Sequence, residues 1–172
     1  MILSGLKIEE EVKKGNIDIF PFSKENINPN SYNYSLGEYL EVYEEEILDP
    51  KKEMGTQKVY IPDDGMILYP NKLYLGYTQE RFGSDKFVPC ITGRSSTGRI
   101  GLFVQITSDL VDIGFHGNLT LQLHATQPVK VYKGMKIGQV TFWDVLGDVE
   151  LYHGKYQGSI GPMKTKIYKD FN

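Results

Sequence analysis

Residues 92–99 carry a dense set of groups that bind anions. The segment reads TGRSSTGR, so the guanidinium groups of Arg94 and Arg99 lie close in sequence to the hydroxyls of Ser95 and Ser96. Backbone N–H groups, hydroxyl donors and forked cations can together hold one polyphosphate. A surface turn with two solvated arginines fits this composition equally well. The segment therefore predicts a phosphate site only in combination with further motifs.

A second group of polar side chains lies on a predicted strand. Over residues 119–124 the leucines alternate with Thr120, Gln122 and His124, so the leucines share one face and the polar residues share the other. The same alternation recurs over residues 104–107. Polar strand faces in β proteins are most often simply solvated. Neighbouring motifs must therefore decide whether this face belongs to a site.

The chain has a single cysteine, Cys90, and three histidines at irregular spacing. The zinc site that nucleobase deaminases use to activate water needs a His/Cys/Cys cluster. We therefore expect no zinc, and any deamination has to proceed without it. Cys90 itself is expected to be a small, buried, apolar residue rather than a nucleophile.

Short strands are expected to position these residues. A capped amphipathic helix is predicted from Ser4 to about Gly15. The remaining chain has short apolar segments separated by turn residues, and its 18 glycines and eight prolines are typical of a turn-rich β fold. No repeat or linker divides it, so we expect one domain over residues 1–172. The predicted strands cover residues 17–20, 32–36, 39–43, 58–61, 66–69, 73–77, 101–107, 118–126, 129–132 and 136–143.

Charge and hydropathy exclude several classes of protein. A net charge of −3 argues against a basic face that coats nucleic acid. No apolar segment approaches the length of a membrane span. The first residues, MILS, lack the charged and then apolar layout of a signal peptide. We therefore expect a cytoplasmic protein that binds neither nucleic acid nor membrane.

Four ordered motifs resemble the dCTP deaminase and bifunctional dCTP deaminase–dUTPase family, within the trimeric dUTPase superfamily. Residues 93–102 are similar to the family's GRSSxGRxGL segment, and residues 111–117 are similar to IDxGFxG. Residues 133–139 are similar to PGMxIGQ, and residues 154–158 carry the family's KYQG. The opening MILS and residues 28–32 fit as well. The resemblance therefore covers nearly the whole chain.

The resemblance implies a mainly β fold, a distorted β-barrel or jelly-roll-like dUTPase fold with a short N-terminal helix. It implies a homotrimer with active sites between subunits. The ligand would be a pyrimidine deoxynucleoside triphosphate: dUTP, dCTP or dTTP. It also implies Mg²⁺ that the triphosphate and waters hold, rather than a metal site built by protein side chains.

The resemblance also assigns roles to individual residues. Ser95, Ser96 and Arg99 would face the phosphates and the reacting base or its water. Asp112 would hold the deoxyribose and help to position an attacking water. Two side chains of the C-terminal segment would reach the triphosphate. The other nucleotide-binding residues it implies are Arg94, Thr107, Ser108, Gln139, Gln157 and, from that segment, Tyr152 and Lys155.

The chain departs from the family at the predicted base pocket. Deaminase members have a glutamate ten residues after the position of Asp112, where this chain has Gln122. A carboxylate can accept and return a proton while the 4-amino group leaves, but a carboxamide cannot. Residues 105–108 read QITS in place of the common HxTA, and Ser159, Lys164 and Lys166 also depart. A trap engineered for crystallography would need only the first change, so the cluster favours natural divergence.

Three functions remain open at this point. The leading interpretation is a diphosphatase that converts dUTP to dUMP and pyrophosphate, with Asp112, Arg99, Ser95 and Lys155 as its hydrolytic residues. The second is a dCTP deaminase, alone or combined with hydrolysis, with an engineered glutamine or with His124 supplying the proton path. The third is a non-catalytic protein that binds a nucleotide as a sensor, decoy or regulator.

Overall fold

The computed structural model describes residues 1–171, which form mainly short antiparallel strands. Its helical segments are α1 (Gly5–Lys13), α2 (Ser95–Arg99) and two 3-10 turns, Lys24–Asn26 and Ile167–Asp170. The strands are β1 (Asp18–Phe20), β2 (Ile27–Asn28), β3 (Ser31–Ser35), β4 (Tyr39–Tyr43), β5 (Thr56–Tyr60), β6 (Met66–Leu68), β7 (Tyr74–Gly83), β8 (Phe87–Gly93), β9 (Leu102–Phe103), β10 (His116–Ala125), β11 (Val129–Val131) and β12 (Lys136–Asp144). The prediction of a mainly β fold with a short N-terminal helix is confirmed.

Two larger sheets and one ribbon make up the fold. The six-stranded sheet has the order β5-β4-β7-β10-β9, with β1 also pairing with β7. The four-stranded sheet has the order β2-β3-β12-β8, and β6 pairs with β11 in the ribbon. Within residues 1–171 the sheets do not join into one closed barrel. The fold is therefore the distorted, jelly-roll-like arrangement that was expected.

The core lies between the two larger sheets. The rings of Tyr32 and Tyr34 on β3 meet the ring of Phe82 on β7 edge to face, with centroids 6.1 and 6.4 Å apart. All three side chains are fully buried. Burying a large apolar side chain of this kind stabilises the fold by about 1.5–3 kcal/mol. The aromatic contacts thereby fix the four-stranded sheet against the strand that neighbours β10.

Strand β10 alternates as the sequence indicates. Its leucines at positions 119, 121 and 123 are buried, while Thr120, Gln122 and His124 are only partly covered. Because successive side chains of a strand point to opposite faces, the core fixes the direction of the polar set. Burial of the leucines therefore requires Thr120, Gln122 and His124 to point away from the core.

Helix α1 closes one end of the sheets. The Oγ of Ser4 accepts a hydrogen bond from the backbone N–H of Lys7 at 3.3 Å, and Ile8 is completely buried. The chain leaves the helix through Gly15, whose φ of +75° is in the left-handed region that glycine tolerates. None of the helices within residues 1–171 is long and apolar enough to cross a membrane.

Two elements differ from the prediction. Strand β8 was not predicted, because Pro89 lies at its centre and cannot donate to a ladder. The carbonyl oxygen of Pro89 still accepts a hydrogen bond, from the backbone N–H of Val111 at 3.0 Å. The predicted strand over residues 101–107 is wrong beyond Phe103, because only Leu102 and Phe103 pair with β10.

Candidate active site

The polar face of β10 opens into a first cavity of about 480 Å³. Asn118, Thr120 and Gln122 contribute one wall, and Asp112 lines the same space from the loop that precedes β10. Apolar side chains cover much of the remaining surface. They include Leu73, Leu75, Ile91, Phe115, Leu119 and Met163. A largely apolar cavity with a few converging polar groups is the usual form of a small-molecule site.

A second cavity of about 480 Å³ lies along the segment that the sequence indicates as a phosphate site. Arg94 and Ser95 line it from the start of α2, and Thr107 and Ser108 line it from the loop after β9. Thr97 is buried and holds the short helix against the protein, whereas Ser95 is exposed. The second cavity therefore presents a guanidinium and several hydroxyls to solvent.

The two cavities share a wall. Ile91 of β8, Gln105 and Ser108 line both of them. The first cavity has Asp112 and Gln122, and the second has Arg94. A ligand with a ring and an anionic tail could therefore place its ring in the first cavity and its tail in the second.

Two hydrogen bonds fix Gln122 in the first cavity. Its backbone N–H donates to the carbonyl of Val104 at 3.0 Å, and its side-chain Oε1 accepts from the backbone N–H of Ile106 at 3.3 Å. Since a backbone N–H can only donate, this contact determines which end of the amide faces residue 106. The Nε2 group, a donor, is therefore the end left for a ligand.

Asp112 lies on a tight turn, and its side chain is exposed. The backbone N–H of Phe115 donates to the Asp112 carbonyl at 3.1 Å, and Gly114 has a φ of +88°. A side chain at position 114 would come within 2.8 Å of Leu151 and of the backbone nitrogen of Tyr152. Glycine at this position therefore lets the C-terminal segment pack directly behind Asp112.

The C-terminal segment covers one side of the first cavity. The backbone N–H of Tyr152 donates to the Ile113 carbonyl at 2.8 Å, and the ring of Tyr152 packs 6.2 Å from that of Phe115. The Oγ1 of Thr120 accepts from the backbone N–H of Met163 at 3.0 Å. Residues 151–165 thus reach the polar face of β10 from the other end of the chain.

Gln157 and Lys155 have their polar groups engaged within the protein. The Nε2 of Gln157 donates to the Gly114 carbonyl at 2.6 Å, and its Oε1 accepts from the backbone N–H of His116 at 2.8 Å. The Nζ of Lys155 lies 2.7 Å from the carboxylate of Asp170, and this hydrogen bond raises the pKa of the lysine. Neither side chain lines one of the two cavities.

Three more of the expected residues also lie outside both cavities. Ser96 and Arg99 are exposed on α2. The Oε1 of Gln139 accepts from the Oγ of Ser31 at 2.6 Å, within the four-stranded sheet. One chain therefore brings the expected residues together only in part. Those that line a cavity are Asp112, Gln122, Ser108 and Tyr152 in the first, and Arg94, Ser95, Thr107 and Ser108 in the second.

Several cavity residues were not singled out from the sequence. Tyr43 of β4 lines the first cavity although it belongs to no motif, and Tyr156 lines it although only Lys155 and Gln157 of its motif were assigned a role. Asn118 also lines it, and its Nδ2 donates to the Thr78 carbonyl at 2.9 Å. The alternation of β10 had already placed Thr120 on the polar face, and Asn118 continues the same set two positions earlier, whereas no local pattern indicates Tyr43 on the distant strand β4.

The first cavity is poor in positive charge. Among the described residues that line it there is one carboxylate, Asp112, and neither a lysine nor an arginine. The second cavity has Arg94 and one carboxylate, Asp109. The part of the chain that the structure describes contains no group of three or more His, Cys, Asp or Glu side chains placed to hold a metal ion.

Comparisons with known proteins agree with the motifs. The dCTP deaminase-like family model matches residues 2–145. A Clostridium acetobutylicum protein named dCTP deaminase, dUMP-forming, is 47% identical over 172 residues, which is 99% of each chain. A Clostridium beijerinckii protein of the same name is 48% identical with the same coverage.

The fold also resembles a solved structure. The 2'-deoxycytidine 5'-triphosphate deaminase from Agrobacterium tumefaciens aligns with a TM-score of 0.65 and 19% identity over 82% of this chain. The chain spans about half of that protein, since the alignment covers 47% of its length. At this identity the likeness supports the fold alone, whereas the family match and the two full-length relatives establish the family. The chain belongs to the dCTP deaminase-like family.

Proposed function

We propose that this protein is an enzyme of pyrimidine nucleotide metabolism that hydrolyses dUTP to dUMP and pyrophosphate. The orientation of Gln122 supports this proposal most directly. Its Oε1 accepts from Ile106, so its Nε2 is the end of the amide left to donate to a ligand in the first cavity. Uracil presents an acceptor, O4, at the position where cytosine presents an amino group. A donor at that point favours uracil, because two donors facing each other leave both unpaired.

Hydrolysis of the triphosphate does not need the glutamate that the chain lacks. A water attacks the α phosphorus, the bond from that phosphorus to the oxygen bridging to the β phosphorus breaks, and pyrophosphate leaves with that oxygen. Asp112 is exposed in the first cavity and would orient the water. No proton has to reach the base in this reaction. A carboxamide at position 122 is therefore compatible with it.

Magnesium on the triphosphate would supply charge neutralisation for the departing pyrophosphate. The donor set fits an ion of this kind, because each cavity has a single carboxylate, Asp112 in one and Asp109 in the other. One carboxylate suits Mg²⁺ that keeps several waters and is held chiefly by phosphates. We therefore propose that the ion binds with the nucleotide.

We propose that the complete site forms between subunits of a homotrimer. A triphosphate needs cations, and the described lining of the first cavity has none. Arg99 and Ser96 are exposed on α2 and would be available to a neighbouring subunit. Leu110, Val145 and Leu146 are also exposed, and Leu110 and Val145 line a depression whose rim of aliphatic side chains also includes the carboxylates of Asp112, Asp148 and Glu150. An exposed apolar surface beside a catalytic carboxylate supports contact with a second copy.

The test is to identify the products. The protein is incubated with Mg²⁺ and, separately, with dUTP, dCTP and dTTP, and the nucleotides are resolved by anion-exchange chromatography. The proposal predicts dUMP and pyrophosphate from dUTP, with no uracil nucleotide from dCTP. A dUTP sample that comes back intact while the nucleotide binds would contradict the proposal and favour a non-catalytic regulator.

A dCTP deaminase is the second candidate. The observation in its favour is that two relatives of 47% and 48% identity are named dCTP deaminase, dUMP-forming. Its difficulty is Gln122, which cannot carry the proton between water, N3 and the leaving amine. Formation of dUMP or dUTP from dCTP in the same assay would establish this activity. It would also require another proton carrier, with His124 the first to examine.

A further inference from the structure

The amide oxygen of Gln105 lacks the partner that a buried acceptor needs. This Oε1 is out of contact with solvent and has no hydrogen-bond partner among residues 1–171. Buried polar atoms in proteins are nearly always paired, since an unpaired one loses its hydrogen bonds to water without replacement. Because the oxygen is covered in the free protein, a ligand donor would reach it only after the side chain turns toward the cavity, and that contact would remove this penalty.

The position of Gln105 connects it to the base-recognition site. Its side chain lines both cavities. Its neighbours on either side, Val104 and Ile106, are the two residues whose backbone groups hydrogen-bond to Gln122, at 3.0 and 3.3 Å. The backbone on both sides of Gln105 is therefore fixed against the residue that presents a donor to the base.

We propose that Gln105 is a second specificity-determining residue, whose Oε1 accepts the N3–H of a 4-oxopyrimidine while Nε2 of Gln122 donates to O4. This inference rests on the proposed function. Uracil and thymine carry an acceptor at O4 beside a donor at N3, and the two glutamines match this pair. Cytosine carries the reverse pattern, a donor at the 4-amino group and an acceptor at N3.

The two amides complement different positions of the base. The Oε1 of Gln105 has no partner within the described residues, so this end of the amide needs a donor, which N3–H of uracil or thymine supplies and N3 of cytosine does not. Gln122 cannot turn without leaving the Ile106 N–H unpaired. Discrimination at O4 is therefore set by Gln122, and Gln105 adds recognition of N3–H for the base that Gln122 admits.

The test measures binding rather than turnover. Affinities for the α,β-imido analogues of dUTP and dCTP, with Mg²⁺, are measured by calorimetry for the wild type, Gln105→Met and Gln105→Glu. Methionine keeps the length of the side chain and removes the acceptor. Glutamate keeps an acceptor. Gln79→Met is the control, because Gln79 is exposed on β7 and lines neither cavity.

Loss of one well-placed hydrogen bond should weaken binding of the dUTP analogue by roughly tenfold in Gln105→Met. Binding of the dCTP analogue should change little, so the preference between the two analogues falls by a similar factor. Gln105→Glu should retain the preference, and Gln79→Met should bind like the wild type.

Equal weakening of both analogues, or an unchanged preference in Gln105→Met, would overturn the role of Gln105. Loss of the preference in Gln105→Glu would overturn it as well. The wild type separates this outcome from failure of the proposed function. If the wild type hydrolyses dUTP but Gln105→Met keeps the same preference, only the inference about Gln105 fails. If the wild type prefers the dCTP analogue and deaminates dCTP, the proposed function itself is contradicted, and the inference about Gln105 with it.

Discussion

At the scale of single residues, the difference between glutamine and glutamate at position 122 lies in the atom that faces the cavity. Either side chain can accept the hydrogen bond from the backbone N–H of Ile106, which Gln122 accepts at 3.3 Å. The remaining atom is an N–H donor in glutamine and an oxygen acceptor in glutamate. One substitution therefore changes both the base that is recognised and the capacity to move a proton.

Gln122→Glu is predicted to reverse the base preference. The kcat/KM for dUTP hydrolysis should fall by about 10–100-fold, since an acceptor then faces O4, and slow conversion of dCTP to a uracil nucleotide should appear. Steady-state kinetics with both nucleotides measure this. Gln79→Glu adds the same charge at an exposed position of β7 and should leave both rates unchanged. Unaltered preference in Gln122→Glu would show that the side chain does not contact the base.

The sequence predicted the two polar residues of the first cavity that belong to a motif or to an alternating strand. Asp112 and Gln122 line the same cavity, although they lie ten positions apart in the chain. Gln157 could not be assigned in the same way. Its amide bonds to Gly114 and His116, more than 40 positions earlier, and no local pattern encodes contacts over that separation.

At the scale of elements, Gln157 attaches the C-terminal segment to the start of β10. Gln157→Leu removes hydrogen bonds to Gly114 and His116 and leaves a backbone N–H of β10 unpaired. We expect a loss of about 1–3 kcal/mol in the free energy of unfolding and faster amide exchange around residues 114–116. Thermal unfolding and hydrogen-exchange mass spectrometry measure these effects. Gln57→Leu, on the exposed face of β5, is the control, and equal stability of the two variants would contradict this role.

Glu11 attaches α1 to the turn between β7 and β8. Its side chain is only 2% exposed and lies 2.9 Å from the Nζ of Lys7 and 3.6 Å from that of Lys86. Hydrogen bonds from Asn16 and Lys7 lower the pKa of the Glu11 carboxyl from its ordinary value of 4.5 to about 2. The folded protein therefore favours the charged form more strongly than the unfolded chain does.

The lowered pKa predicts how stability depends on pH. The contribution of Glu11 is fully present above pH 4.5 and is lost as the pH falls toward 2, because the unfolded chain takes up the proton first. Urea unfolding between pH 7 and pH 2.5 should show this loss in the wild type. Glu11→Gln should be less stable at pH 7 by about 2 kcal/mol and should lose less stability on acidification. A parallel pH dependence in both proteins would contradict the assignment.

The elements themselves were predictable to different degrees. Alternating apolar residues identify β10 and β12, and Ser4 identifies the start of α1. Strand β8 was missed because Pro89 is a poor strand residue in isolation, and only pairing with β12 and with Leu110 makes it one. The strand is therefore stabilised by tertiary pairing rather than by the strand propensity of its own residues.

At the scale of the whole molecule, the candidate catalytic carboxylate lines a cavity, whereas two residues of the candidate phosphate-binding loop lie outside both cavities. Asp112 lines the first cavity, while Ser96 and Arg99 lie exposed on α2 outside both cavities. A homotrimer would bring the loop of one subunit to the cavity of another. Light scattering should then give a mass near three times 19.6 kDa.

Mixed assemblies provide a sharper test of the shared site. Asp112→Asn and Arg99→Ala should each lower kcat by about 10²-fold or more. When the two inactive proteins are unfolded, mixed in equal amounts and refolded, random trimers should regain about a quarter of the wild-type activity, because some sites receive intact residues from both neighbours. Activity that stays at the level of the separate variants would place both residues in one subunit's site.

Competition between dUTP and dCTP for the wild-type protein tests its base preference most directly. Equal concentrations of the two nucleotides are mixed with Mg²⁺ and enzyme, and the initial rates of dUMP and dCMP formation and of uracil nucleotide formation from labelled dCTP are followed together. We predict that dUTP is consumed at least about 100-fold faster than dCTP and that the labelled dCTP yields no uracil nucleotide. Comparable consumption of both, or a labelled uracil product, would contradict the assignment of Gln122 as a donor to O4.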